Sequence, residues 1–130
     1  WMLPNIAFDE EPLVFKGPPL HEVWKALEGC VKKGLVKSIG VSNCTVPMLL
    51  NILSFAEIPP TVNQVELHPY LVQKDFVKLN EKFKVQVQAY APLGAAGWQG
   101  KNEQAKALNL LSEKVIVDLG QKYGKSPAQI

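Results

Sequence analysis

Three short apolar runs recur along this 130-residue chain at nearly one interval, and each runs into a polar cluster. They are Val36–Val41, followed by Ser42-Asn43; Thr61–Val65, followed by Glu66-Leu67-His68-Pro69; and Val85–Ala89, followed by Tyr90-Ala91-Pro92-Leu93-Gly94. Their starts lie 25 and 24 residues apart, with a segment of helical periodicity in each gap. A fixed period of this length marks stacked supersecondary units. Strand, helix and strand joined by short connections pair in parallel through right-handed crossovers. In such folds the functional groups gather at the carboxyl ends of the strands, where these polar clusters fall. The pattern is that of one side of a nucleotide-handling α/β enzyme.

The helices follow from spacing. Leu20, Val23, Trp24, Leu27 and Val31 form an apolar stripe for a helix over 20–33, stopped by Gly34. Thr45 stands where a cap belongs, with Pro47 in the first turn and Val46, Leu49, Leu50 and Leu53 as the inward face. Pro59-Pro60 closes that connection. A third helix is expected over 74–83 with Phe76, Leu79 and Phe83 inward, and a fourth over 108–123 with Leu111, Val115 and Leu119 on one face. Residues 1–19, with four prolines, read as a long loop, and the Gly- and Ala-rich stretch from Gly94 to Gly100 as a loop over the strand ends. Three parallel strands leave two raw edges. A closed eight-stranded barrel takes about 250 residues, and the glycine fingerprint of an open dinucleotide-binding sheet is missing. The expected fold is therefore α/β: a partial (β/α)8 barrel of about three parallel strands with flanking helices, its βα units starting at 36, 61 and 85.

Composition narrows the partners. All fourteen basic residues are Lys, so the Arg forks favoured at phosphates and base edges are lacking, and a net charge of +2 makes no strong field. Neither nucleic acid nor a membrane is an expected partner, and no apolar run approaches a membrane span. The first residues lack the basic and apolar regions of a secretory leader. Cys30 and Cys44 suit a reducing compartment, the cytoplasm. His21 and His68 stand apart, so no metal site is expected. The chain opens on Trp1 and closes on Ser126-Pro127-Ala128-Gln129-Ile130, the first turn of a helix, so it is expected to be a segment of a larger protein.

Residues 34–43, Gly-Leu-Val-Lys-Ser-Ile-Gly-Val-Ser-Asn, resemble the central signature of the aldo-keto reductases. Asn63-Gln64-Val65-Glu66-Leu67-His68-Pro69-Tyr70 and Ala89-Tyr90-Ala91-Pro92-Leu93-Gly94 are similar to that family's next two strand-end motifs, in order. Tyr123-Gly124-Lys125-Ser126-Pro127-Ala128-Gln129 resembles its segment leading to the next helix. The likeness spans all but the stretches at 2–18 and 95–106. It implies a barrel that reduces aldehydes or ketones, small carbonyl substrates, with NADPH; these residues do not separate NADPH from NADH. By the same resemblance Ser42, Asn43 and Gln64 would hydrogen-bond the nicotinamide carboxamide, and Tyr90 would stack on the ring. The turn through Ala91, Leu93 and Gly94 would approach the pyrophosphate, and Trp1 would line the substrate pocket. Two letters depart from the pattern: Cys44 stands where an aromatic residue is usual, and Ala91 where Ser is common.

Taken singly, each residue has a plainer use. Ser42-Asn43 can be a strand-to-helix turn, Gln64 and Glu66 can satisfy backbone groups, Tyr90 can be core, and His68 can orient a neighbour. The series of motifs carries the functional reading. The family's Tyr general acid, with its Lys, Asp and His, belongs to strands preceding the position of Trp1, and the grip on the adenosine phosphate to residues after Ile130. The resemblance therefore implies a nicotinamide shelf without a catalytic residue, and a chain that reduces no aldehyde unaided. Two other uses fit the same shelf: a non-catalytic, cofactor-sensing barrel subunit of a larger assembly, or an inactive truncated product.

Overall fold

The structure, a computed structural model, describes residues 17–94 and 109–130. Helix α1 (Leu20–Lys32) is followed by β1 (Gly40–Ser42), α2 (Val46–Phe55), β2 (Val62–Glu66), α3 (Lys74–Lys82) and β3 (Gln86–Tyr90). A 3₁₀ turn (Leu110–Ser112), α4 (Lys114–Tyr123) and a second 3₁₀ turn (Pro127–Gln129) complete it. The strands lie in the order β1-β2-β3, all parallel. This α/β unit of three parallel strands with flanking helices is the expected part of a barrel.

Local chemistry sets the boundaries. Gly34 takes a φ of 71° just past α1, and the Leu35 N–H reaches back to the Cys30 carbonyl at 3.0 Å, a left-handed helix stop. Gly124, at φ 62°, ends α4 in the same conformation. Before α2 the side chain of Thr45 makes no capping bond; its carbonyl accepts the Leu49 N–H instead. β1 starts at Gly40 rather than Val36. Leu35 and Val36 are exposed, and the ladder reaches only from the Ile39 carbonyl, which accepts the Thr61 N–H, to Ser42. The last helix starts at Lys114, with the 3₁₀ turn occupying part of the span expected to be helical; the 1–16 part of the first loop and the whole 95–108 stretch lie outside the described residues.

The core lies on one side of the sheet. Trp24, Ile39, Cys44, Leu49, Ile52 and Val85 form one buried cluster between the helices and the strands. Each large apolar side chain hidden this way contributes roughly 1.5–3 kcal/mol. The expected stripes are corrected in detail. On α1, Leu20, Val23 and Leu27 stay exposed, while Trp24 and the carboxylate of Glu28 are the buried pair. On α2, Ile52 rather than Leu50 joins Leu49 inside, because the covered arc is narrow and centred on the side facing α1 and β1. On α4, Val115 is exposed and the buried position is Gly120.

Polar bonds fix the connection from α2 to β2. Glu28 Oε1 accepts the N–H groups of Glu57 and Ile58 at 2.8 and 2.9 Å, and the Trp24 indole N–H donates to the Ile58 carbonyl at 3.1 Å. A buried carboxylate is tolerated when such donors meet it.

Candidate functional site at the strand ends

Register decides what each strand shows. Ser42 pairs with Gln64, Gln64 with Gln88, and Glu66 with Tyr90. Side chains alternate along a strand, so Ser42, Gln64, Glu66, Gln88 and Tyr90 share the face away from the helices. Asn63 and Val65 point the other way and are buried.

At the end of β1, Gln64 acts through its backbone. Its carbonyl oxygen accepts the Asn43 N–H at 2.8 Å and the Ser42 hydroxyl at 3.0 Å. Asn43 turns the chain at φ 53°, a left-handed conformation that Asn adopts more readily than most residues. One residue on, Cys44 is clamped by the Asn63 amide. Oδ1 accepts the Cys44 N–H at 3.3 Å, and Nδ2 donates to the Cys44 carbonyl at 2.9 Å and to Asn80 Oδ1 at 3.2 Å. Asn80 in turn donates to the Phe76 carbonyl of α3. Asn63 and Asn80 are both 0% exposed, so this relay locks the end of β1 against α3 from below. Burial also pushes the Cys44 thiol above its usual range.

On the open face, Gln64 Nε2 donates to Gln88 Oε1 at 3.0 Å. Tyr90, half exposed, ends β3; Ala91 follows at φ 50°, and the Gly94 N–H donates to the Ala91 carbonyl at 2.9 Å. A Cβ at Gly94 would stand 3.4 Å from Leu110 Cβ, so this tight turn rests on the 3₁₀ segment.

Beside the shelf, Gln73 Nε2 donates to the Glu66 carbonyl, and His68 Nε2 lies 3.1 Å from Glu66 Oε1. His68 therefore holds Glu66, while its buried Nδ1 has no partner among the described residues. Interaction with the Glu113 side chain holds the Tyr70 phenol above its ordinary range.

The structure thus joins Ser42, Asn43 and Gln64 by hydrogen bonds and sets Tyr90 and the Ala91–Gly94 turn at the same end of the neighbouring strand. Trp1 lies outside the described residues. Sequence reasoning assigned nothing to Asn63, Asn80, Gln73 or Gln88. Only Asn63 carried a signal: adjacent to Gln64, it must face the helices if Gln64 faces away.

The model of the Aldo/keto reductase family matches residues 6–130. The chain belongs to that family. It is 44% identical over 111 residues to human aldo-keto reductase family 1 member A1, covering 84% of this chain and 33% of the relative. It is 40% identical over 130 residues to an aldo/keto reductase of Synechocystis, covering 98% of this chain and 40% of that protein. Among solved structures, the aldose reductase of Schistosoma japonicum superposes with a TM-score of 0.72 at 32% identity, over 87% of this chain and 33% of that one. An aldose reductase of Giardia lamblia gives 0.73 at 37% identity, over 86% and 34%. The chain therefore spans between a third and two fifths of the length of these aldo/keto reductases. No helix among the described residues is long and apolar enough to cross a membrane.

Proposed function

We propose that this chain supplies the nicotinamide-binding side of an NADPH-dependent aldo/keto reductase whose whole barrel reduces an aldehyde or ketone. The row Ser42–Gln64–Gln88, with Asn43 tied to the Gln64 carbonyl, supports the reading. A nicotinamide carboxamide carries two N–H donors and one acceptor oxygen. Ser42 Oγ, its proton given to the Gln64 carbonyl, is able to accept. Gln64 Oε1, whose amide nitrogen is held by Gln88, is able to accept as well. The Asn43 amide has a donor for the oxygen. Two acceptors and a donor match the group. Tyr90 offers an aromatic plane at the same end of the sheet.

In the turn after β3, Pro92 has no N–H and that of Gly94 is committed to Ala91. Ala91 and Leu93 are then the backbone donors assigned to a pyrophosphate. The bound dinucleotide supplies the hydride. This chain's residues hold its ring, choose which face is presented and shield the other, an orienting contribution. None is assigned the proton-donating role, so the 130 residues bind without turning over. The reading places the protein in the cytoplasm, where Cys30 and Cys44 stay reduced.

The test is a titration of the isotopically labelled protein with NADPH, followed by NMR. The backbone amides of Ser42, Asn43, Gln64 and Tyr90 should shift, and nicotinamide mononucleotide alone should reproduce the pattern. Shifts confined to the helical face would refute the site. Steady NADPH consumption with benzaldehyde would refute the assignment of no proton donor.

A further inference from the structure

Gln88 plays no part in the family resemblance, yet it stands beside Gln64 at the β3 end of the shelf's polar row. It stands in register with Gln64, which stands in register with Ser42, so three polar side chains form one row across three strands. Directly opposed residues on one face have Cβ atoms about 4.5–5.5 Å apart, close enough that their side chains must meet. Here the meeting has a direction: Gln64 Nε2 donates and Gln88 Oε1 accepts, at 3.0 Å. A Gln amide has a donating end and an accepting end. Committing the nitrogen of Gln64 to Gln88 leaves Gln64 Oε1 as the end available to a ligand. With the amide reversed, the shelf would meet a carboxamide N–H with another N–H.

We infer that Gln88 is a positioning residue which, by accepting from Gln64 Nε2, fixes Gln64 Oε1 as the acceptor for an N–H of a planar carboxamide. The inference rests on the nicotinamide reading above and adds to it the residue that sets the polarity of the shelf. Gln88 is exposed, with its bond to Gln64 in the open, so substitutions there should leave the fold and its melting temperature unchanged.

Three variants separate the roles of position 88. Gln88→Glu keeps only an acceptor, Gln88→Met keeps neither function, and Gln88→Lys keeps only a donor. The probes are NADP⁺ and its 3-acetylpyridine analogue, which retains the carbonyl and lacks the amide N–H. The readout is the ratio of their dissociation constants, in which a charge at position 88 largely cancels. The unmodified protein and Gln88→Glu should prefer NADP⁺ by about fivefold, the weight of one net hydrogen bond. Gln88→Met should fall to about half that preference, since two amide orientations then mix. Gln88→Lys should abolish it, because the ammonium turns Gln64 Oε1 inward. In the free protein, the Gln64 side-chain amide should be ordered in NMR relaxation in the unmodified chain and Gln88→Glu, and mobile in Gln88→Met. A full preference in Gln88→Met and Gln88→Lys overturns the inference while leaving the shelf standing. Binding of neither probe by the unmodified protein overturns the shelf and the inference together.

Discussion

Replacing Asn63 by Ala removes the clamp beneath the shelf, and its cost can be worked from three bonds. The Cys44 N–H and carbonyl and the Asn80 Oδ1 each lose a partner in a region where Asn63 and Asn80 are 0% exposed. A buried polar group left unmatched costs about 1–3 kcal/mol. Two of the contacts, at 3.3 and 3.2 Å, are at or beyond the long end of the usual range, which argues for the low end of that span. The sum is about 3 kcal/mol, a large share of the roughly 5–15 kcal/mol that holds a domain together. In urea, followed by tryptophan fluorescence with Trp24 as the buried reporter, the midpoint should fall by about 2 M for an m-value near 1.5 kcal/mol/M. Asn63→Asp is the sharper variant. It keeps an acceptor for the Cys44 N–H, loses both donors and sets a carboxyl against Asn80 Oδ1. Burial there raises the folded-state pKa of such a carboxyl above its unfolded value. Its neutral form is then the stable one, and the variant should lose stability as pH rises through the raised value. A loss below about 1 kcal/mol for Asn63→Ala, or a pH-independent deficit for Asn63→Asp, would show that the amide holds nothing.

Two further predictions concern the scaffold. Glycines in two helices should respond oppositely to Ala. At Gly120 a Cβ would stand 2.7 Å from the Lys125 carbonyl, so overpacking of about 1–3 kcal/mol outweighs the helix propensity gained and the melting temperature falls. At Gly29, where nothing lies within 4 Å, the same change should stabilise by up to about 1 kcal/mol; equal signs in thermal melts would refute the reasoning. The pair Lys32–Glu57, at 2.6 Å, gives a pH signature. Its hydrogen bond lowers the Glu57 pKa and raises that of Lys32. The lowered carboxyl contributes stability above its unfolded value and loses it as pH falls through the folded one. The raised ammonium contributes below its unfolded value and loses it as pH rises through the folded one. Both side chains are exposed, so the contribution should be small and fade in high salt. Glu57→Gln should flatten the acid limb of urea midpoint against pH at low salt, and an unchanged limb would exclude the pair as its source.

Strand ends, helix stops and the order of elements were legible because each depends on local chemistry: Gly34 and Gly124 past helices, Pro59-Pro60 before β2, polar clusters after apolar runs. The inward faces were less legible. Leu20, Val23 and Leu27 share the stripe of Trp24, but only a narrow arc of α1 meets the sheet and α2. Polar residues deceived in the other direction. Glu28, Asn63 and Asn80 look like solvated positions, and each is buried because groups 17 to 30 residues away complete its hydrogen bonds: backbone groups for Glu28 and Asn63, and the Asn63 side-chain amide for Asn80. No local pattern records a partner at that distance.

The shelf shows how fine the margin is. Taken as a pairing offset, the 25-residue spacing between the first two runs would set Ser42 opposite Leu67. An odd error of this kind turns a strand over and sends its outward side chains toward the core. The structure pairs Ser42 with Gln64 and Gln64 with Gln88, offsets of 22 and 24. The first differs from the spacing of the runs because Val36 to Ser38 lie outside the ladder and β1 begins only at Gly40. Both offsets come from where pairing starts, which is set by the Ile39 carbonyl meeting the Thr61 N–H and the Thr61 carbonyl meeting the Gln86 N–H. Shifting either bond by one residue would face Ser42 or Gln88 toward the helices and dissolve the row. The polar row is thus a property of register, and the letters acquire their chemistry only once the two ladders are fixed.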